Sequence, residues 1–137
     1  MPLRNESPAP TMVLTGVDLN PSGATDTFIA VPCNKFIVRR VTLYDASASL
    51  AAGSAQVAVF TGAGGTGTTI VAAAVVTSLT SATKFSDRTV AATTDYLRPT
   101  LYTNTTGQVQ SGIFFRVTVA NGTAATVSVA FEIESLD

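Results

Sequence analysis

The sequence predicts an all-β protein, an antiparallel sandwich or barrel of about eight short strands. Three observations predict it. Apolar and polar residues alternate through long parts of the chain, clusters of turn-forming residues separate those runs, and no segment carries a convincing helical period. At 137 residues the chain is sized for one domain with one core. It divides into an extended arm, residues 1–11, and a single sandwich domain, residues 12–137.

The arm carries Pro2, Pro8 and Pro10. Each proline removes a backbone donor and biases its predecessor toward extended geometry, so neither helix nor a paired strand runs its length. Such a segment either frays as a terminus or tethers a neighbouring subunit, with Leu3 as the apolar anchor and Arg4 beside it. Met12 to Val17 is the first strand, ended by the turn formers Asp18-Leu19-Asn20-Pro21-Ser22-Gly23. Thr27 to Val31 is the second. Cys33, the lone cysteine, excludes an intrachain disulfide and reads as a small buried hydrophobe near a strand start.

Lys35 to Tyr44 is a third, longer strand whose phase changes, because Phe36 and Val38 share one face while Val41 and Leu43 have the opposite parity. A bulge at Arg39-Arg40 restores the register and points at least one guanidinium outward. Burial of both strand faces explains the pattern equally well. Ala46 to Ala52 suits a helical turn or a loop, Gln56 to Thr61 a fourth strand, and Thr69 to Val76 a fifth, although its three consecutive alanines also suit helix. Thr80 to Asp87 and Val90 to Thr94 are weaker strand candidates. Tyr96 to Thr103 contains Pro99, which places it at an edge or a bulge, and Asn104-Thr105-Thr106-Gly107 then forms a turn.

The clearest pattern closes the chain. Ile113, Phe115, Val117 and Val119 alternate with polar residues, and after Asn121-Gly122-Thr123 the alternation resumes at Val127, Val129, Phe131 and Ile133. This predicts a half-buried antiparallel hairpin with an odd-length loop and Gly122 at positive φ. Phe114 then falls on the outward face beside Arg116, with Ala130 next to it, and that face becomes a candidate contact surface.

Charged residues make up 12% of the chain, about half the roughly 25% of an ordinary soluble domain. Mean hydropathy is +0.36 and the formal net charge is -1, so self-repulsion between copies is weak. The chain therefore reads as a subunit packed against others, or as a monomer coated with Thr and Ser hydroxyls. Its scattered basic residues, with Arg39-Arg40 the only adjacent pair, form no phosphate-neutralising patch, which excludes nucleic acid as a partner. The apolar run Ile70 to Val76 is too short to cross a bilayer, so no membrane partner is expected, and no secretory signal is read at the N-terminus.

Gly62, Gly64 and Gly67 fit a dinucleotide-type GxGxxG directly after a strand, with Asp87 twenty residues on. The β-branched run Thr68-Thr69-Ile70-Val71 then stands where the motif needs a helix, and Thr68 occupies the position at which a P-loop requires lysine. The stretch therefore reads as a glycine-rich hairpin loop. The chain contains no histidine, which removes Ser-His-Asp and Cys-His nucleophile systems and the commonest transition-metal ligand. Glu132 and Glu134 share one strand face about 7 Å apart, a spacing open to acid/base chemistry or calcium, but an outward, solvated or partner-facing role is ordinary there. Asp18, Asp26, Asp45, Asp87 and Asp95 mostly flank turns, where capping backbone donors is reason enough for them. Tyr44, Tyr96 and Tyr102 suit core or rim packing, or a sugar-stacking face. No catalytic, cofactor-binding or metal-binding residue is assigned.

The run Cys33 to Ser49, CNKFIVRRVTLYDASAS, with the alternating strand and glycine-rich loop after it, resembles the small all-β decoration, or cement, proteins of tailed-bacteriophage capsids. Proline-bearing arm, Ala/Thr/Val composition and a closing hairpin at the C-terminus belong to the same likeness. The resemblance implies a jelly-roll-like sandwich, a homotrimer on the capsid exterior that is made in the host cytoplasm and bridges copies of the major capsid protein. On that expectation Leu3, Arg4, Arg39, Arg40, Phe114 and Arg116 are candidate interface residues. A carbohydrate- or receptor-binding module of a virion fibre or tail is the alternative, with stacking tyrosines and neighbouring Asp and Asn as its site.

Overall fold

The computed structural model describes residues 11–32, 35–80, 83–91, 100–103, 106, 107 and 109–136. Among these the strands are β1 (Thr11–Asp18), β2 (Thr25–Ala30), β3 (Phe36–Tyr44), β4 (Gln56–Gly62), β5 (Thr66–Val75), β6 (Phe85–Arg88), β7 (Thr100–Thr103), β8 (Val109–Val119) and β9 (Thr126–Ser135). A single 3-10 turn, Ala63–Gly65, joins β4 to β5. The Cys33 reading and the arm candidates Leu3 and Arg4 lie outside the described residues, as do Tyr96 and most of the Val90 to Thr94 strand candidate.

Two antiparallel sheets stack into a sandwich, one ordered β1-β9-β3-β6 and the other β2-β8-β4-β5, with β7 also paired to β8. This is the jelly-roll order. The chain folds over as one long hairpin whose tip is β4–β5 and whose successive pairs are β3–β6, β2–β8 and β1–β9, with alternate pairs falling in opposite sheets. Val38, Val41, Leu43, Val127, Val129, Phe131 and Ile133 line the inner face of one sheet; Ile29, Val57, Val59, Ile113, Phe115 and Val117 line the other.

That order corrects the expected closing hairpin. β8 pairs with β2, β4 and β7, whereas β9 pairs with β1 and β3, so the two alternating runs never bond to each other. They face one core from opposite sheets, with the Phe115 and Phe131 rings edge-on at 6.4 Å. Strict alternation establishes that a strand has one buried face; it carries no information about the neighbour that completes its ladder. The link from Ala120 to Ala125 is an arch between sheets, not a hairpin turn, although Gly122 does have φ +89.

Two irregularities keep the phases right. The β3–β9 register shifts between Val38 and Arg40, the bulge expected at Arg39-Arg40, and it brings Phe36, Val38, Val41 and Leu43 all to the core. In β1 the register shifts between Leu14 and Val17 around Gly16, whose φ is +62, so Met12, Leu14 and Val17 turn inward despite their mixed parity. The glycine-rich stretch forms the expected hairpin, β4–β5, and strand rather than helix comes after it.

One end of the sandwich is stitched by its loops. Leu19 donates to Ala125 and accepts from Asn121, Ser54 donates to Asn121, Ser47 donates to Thr126, and Leu50 donates to Leu79. Leu19, Leu50, Leu79 and Ala125 are buried there, which makes these connections part of the core. Ala46 to Ala52 is accordingly loop, not helix. Asn121 is itself buried, its amide donating to Thr123, and its Oδ1 has no hydrogen-bond partner. It fits only because residue 53 is glycine: a Cβ there would overlap the Asn121 carboxamide and stand 2.7 Å from its Cγ.

At the open margin between β5 and β6, Arg88 spans the two sheets. Its guanidinium donates to the Val75 carbonyl at 2.8 Å and to Ser86 Oγ at 2.7 Å, while its Nε is buried with no hydrogen-bond partner. Burial pushes its pKa down from the ordinary guanidinium value, a sign of the cost of desolvating it. The fork of two bonds offsets that cost. Arg88→Ala should lower stability by about 1.5 kcal/mol in urea denaturation; a gain in stability would mean that desolvation outweighs the latch.

Candidate functional site

The sandwich has two outer faces, and the candidate residues divide between them. On the β2-β8-β4-β5 sheet, pairing sets Phe28, Phe114 and Phe60 in one row and Asp26, Arg116 and Ala58 in the next. Phe28 and Phe114 rings lie 5.3 Å apart, and Phe114 is only 3% exposed. The expectation of an outward contact phenylalanine is therefore corrected. Phe114 is on the outer face but covered within the chain, and Ala130, expected beside it, belongs to the opposite sheet.

Arg116 on that face is not a free charge. Its guanidinium meets Asp26 Oδ1 at 2.9 Å, both side chains about four-fifths covered, and Asp26 Oδ2 accepts from the Gly64 amide at 2.7 Å. Gly64 and Gly65 take φ of +69 and +78, which brings the loop backbone down over Phe60 and Arg116. The glycines thus serve a loop pinned by Asp26. Asp26→Ala should cost about 2 kcal/mol, since it leaves a largely covered guanidinium and a loop amide without their acceptor. A change in the urea midpoint too small to measure would refute the pinning.

The other outer face, on β1-β9-β3-β6, is the more unusual. Its rows read Thr11, Glu132, Arg40; then Val13, Ala130, Thr42, Asp87; then Ser128, Tyr44, Phe85. At one end Arg39 is ion-paired with Glu134 and Arg40 with Glu132, so the bulge aims both guanidiniums outward and the two strand carboxylates neutralise them. Pairing gives Glu132 and Glu134 a sufficient role. At the other end Phe85, 67% exposed, stacks on Tyr44 at 6.3 Å and 29°. A hollow of about 360 Å³ runs between the ends, with Ala130 and Thr42 as its floor.

Strand β6 is responsible, because its phase is inverted. Pairing of Leu43 with Ser86 and of Val41 with Arg88 takes the serine and the arginine inward, leaving Phe85 and Asp87 outside. Burial by polarity would predict the reverse. Sequence reasoning missed Phe85 for that reason: in the segment Phe-Ser-Asp-Arg the only apolar residue is the one that faces water. Local inversions of this kind concentrate at functional sites.

Among the described residues no group of three or more His, Cys, Asp or Glu side chains is placed to hold a metal ion, and no helix is long and apolar enough to cross a membrane. Comparison with protein-family models, curated proteins and solved structures finds no match to the chain.

Proposed function

We propose that the chain is a structural subunit of a larger assembly, in which copies associate by burying the outer face of the β1-β9-β3-β6 sheet. The inverted β6 carries this reading, because it places an aromatic ring in water on a face whose centre is Ala130 and Thr42, the Thr42 hydroxyl donating to the neighbouring Asp87 carboxylate at 2.6 Å. Val13, 48% exposed, adds to that apolar area from the β1 edge. The Arg39–Glu134 and Arg40–Glu132 pairs border it as a rim that is already neutralised, and the Asp87 carboxylate on the face keeps the Thr42 hydroxyl as its donor. Exposed pairs of this type add little to stability by themselves, at most about 1 kcal/mol each.

The specific form proposed is a capsid decoration subunit on the exterior of a phage head, a homotrimer that bridges copies of the major capsid protein. The resemblance of the Cys33 to Ser49 run supports it, and so does the jelly-roll strand order, an architecture common among viral capsid proteins. Fold alone does not decide function, so the weight rests on the face. Binding to an assembled shell but not to its dissociated proteins would stabilise the shell by mass action. Ala130 tests the face. Ala130→Glu should convert an oligomer to monomer in sedimentation velocity with the circular-dichroism spectrum unchanged; an oligomer that survives the substitution contradicts this use of the face.

A further inference from the structure

We propose that the hollow on the loop side of the Tyr44–Phe85 pair is a binding site for a neutral oligosaccharide. This hollow, about 500 Å³, lies between the loop after β3 and the residues Leu79, Thr80, Thr83 and Lys84, at the stitched end of the sandwich. Its volume is that of small-ligand sites. Phe85 forms one wall, and the Tyr44 ring behind it holds that wall in place. An aromatic face open to water on one side and braced on the other suits the C–H face of a pyranose ring, which is apolar while its rim is hydroxylated.

The rest of the lining mixes hydroxyls with the apolar side chains of Ala46, Ala48 and Leu79. Ser47, Ser49, Thr80 and Thr83 surround the hollow, with the Asp45 carboxylate and the Lys84 ammonium at its margin. Asp45 is, among the described residues, the only non-glycine with positive φ, at +54. Such a conformation persists where the surroundings enforce it, and it is enriched at ligand sites. The walls are also set in advance: Leu50 donates to the Leu79 carbonyl, Thr80 to the Thr83 carbonyl, and the Thr83 amide to Thr80 Oγ1.

Other ligand classes fit less well. An anion would meet one lysine offset by one aspartate, and a wholly apolar side chain would pack on Phe85, Ala46, Ala48 and Leu79 but leave the hydroxyls of Ser47, Ser49, Thr80 and Thr83 unanswered. A polyol, each of whose groups both donates and accepts, matches hydroxyls, one acceptor, one donor and a single ring face. Asp45 and Thr83 belong to the hollow alone, whereas Phe85 and Tyr44 also line the face that assembly buries, so a sugar and a second copy compete for that ring.

The test uses the full chain, fluorescently labelled, on an array of bacterial and mammalian oligosaccharides, followed by amide-shift titration with the retained sugar. At least one glycan should be retained, with shifts at Asp45, Thr83, Lys84 and Phe85. Phe85→Ala should weaken it about tenfold. Asp45→Gly, which removes the carboxylate while keeping a residue at ease with positive φ, should weaken it as well without altering oligomeric state. An array on which neither the wild-type chain nor the Ala130→Glu monomer is retained overturns the site, and so does a retained glycan whose affinity neither Phe85→Ala nor Asp45→Gly changes. Either result leaves the assembly reading standing, which fails instead on Ala130→Glu.

Discussion

Phe131→Ala should destabilise the fold by about 4 kcal/mol, a large part of the stability of a domain of this size. Phe131 is fully buried at the middle of β9, where that strand has partners on both sides, Met12 from β1 and Val41 from β3. Its ring also meets Phe115 from the opposite sheet edge-on, with an interplanar angle of 83°. Removing it takes away contacts with both sheets at once, and the surrounding β-branched side chains cannot relax into the space. Equilibrium unfolding in urea measures the loss, and a cost under about 1 kcal/mol would mean that the sheets do not close over this pair. Phe115→Ala should behave similarly. The double substitution should cost less than the sum of the two, by the 0.5–1.5 kcal/mol or so of an aromatic pair.

Gly112→Ala is expected to cost about 3 kcal/mol, for a different reason. Gly112 sits in β8 opposite Ala30, with φ outside the left-handed region, so the glycine is not there for backbone freedom. Space is the constraint. A Cβ at this position would overlap the Ile29 carbonyl oxygen and approach Phe28 Cζ and Cε1 at 2.6 and 2.7 Å. A side chain can turn away, but the carbonyl belongs to a strand held along its length by β8, so the ladder itself would have to part. Ser should be no better tolerated than Ala. A melting temperature within a degree or two of wild type in Gly112→Ala would show that β2 does not pack against β8 as described.

Much of the fold was legible because period-2 alternation and turn chemistry are local signals. The strands around Met12–Val17, Gln56–Thr61 and Ile113–Val119 need nothing else, while the clash of parity at Val38 and Val41 fits a bulge at Arg39-Arg40 or burial of both faces, and the register of β3 on β9 decides for the bulge. Strand partnership was not legible. The runs ending at Val119 and beginning at Val127 look like a hairpin because a jelly roll and a hairpin demand the same alternation of their strands, and only the whole roll decides between them. Leu19, Leu50 and Leu79 were hidden among turn formers for a related reason, since a loop that closes a sandwich end borrows the core's chemistry.

The site was less legible than the fold. At least one of Arg39 and Arg40 is expected to face outward, and both do, but Glu132 and Glu134 read as two outward acids on one strand face until pairing of β3 with β9 sets them beside the arginines. Phe114 and Phe85 exchanged roles: the first, on the outward parity of a strongly alternating strand, is buried, and the second, the one apolar residue of a short strand, is exposed. Burial on an outer face depends on what else crosses it, here Phe28 and Phe60 beside a pinned glycine loop, and no local pattern reports that.

Native mass spectrometry of the full chain over a range of micromolar concentrations tests the assembly account most directly. A homo-oligomer, with the trimer as the state that decoration proteins imply, is the predicted result, and it should give way to monomer when Ala130 becomes glutamate. A wild-type chain that remains monomeric over the whole range would contradict the account.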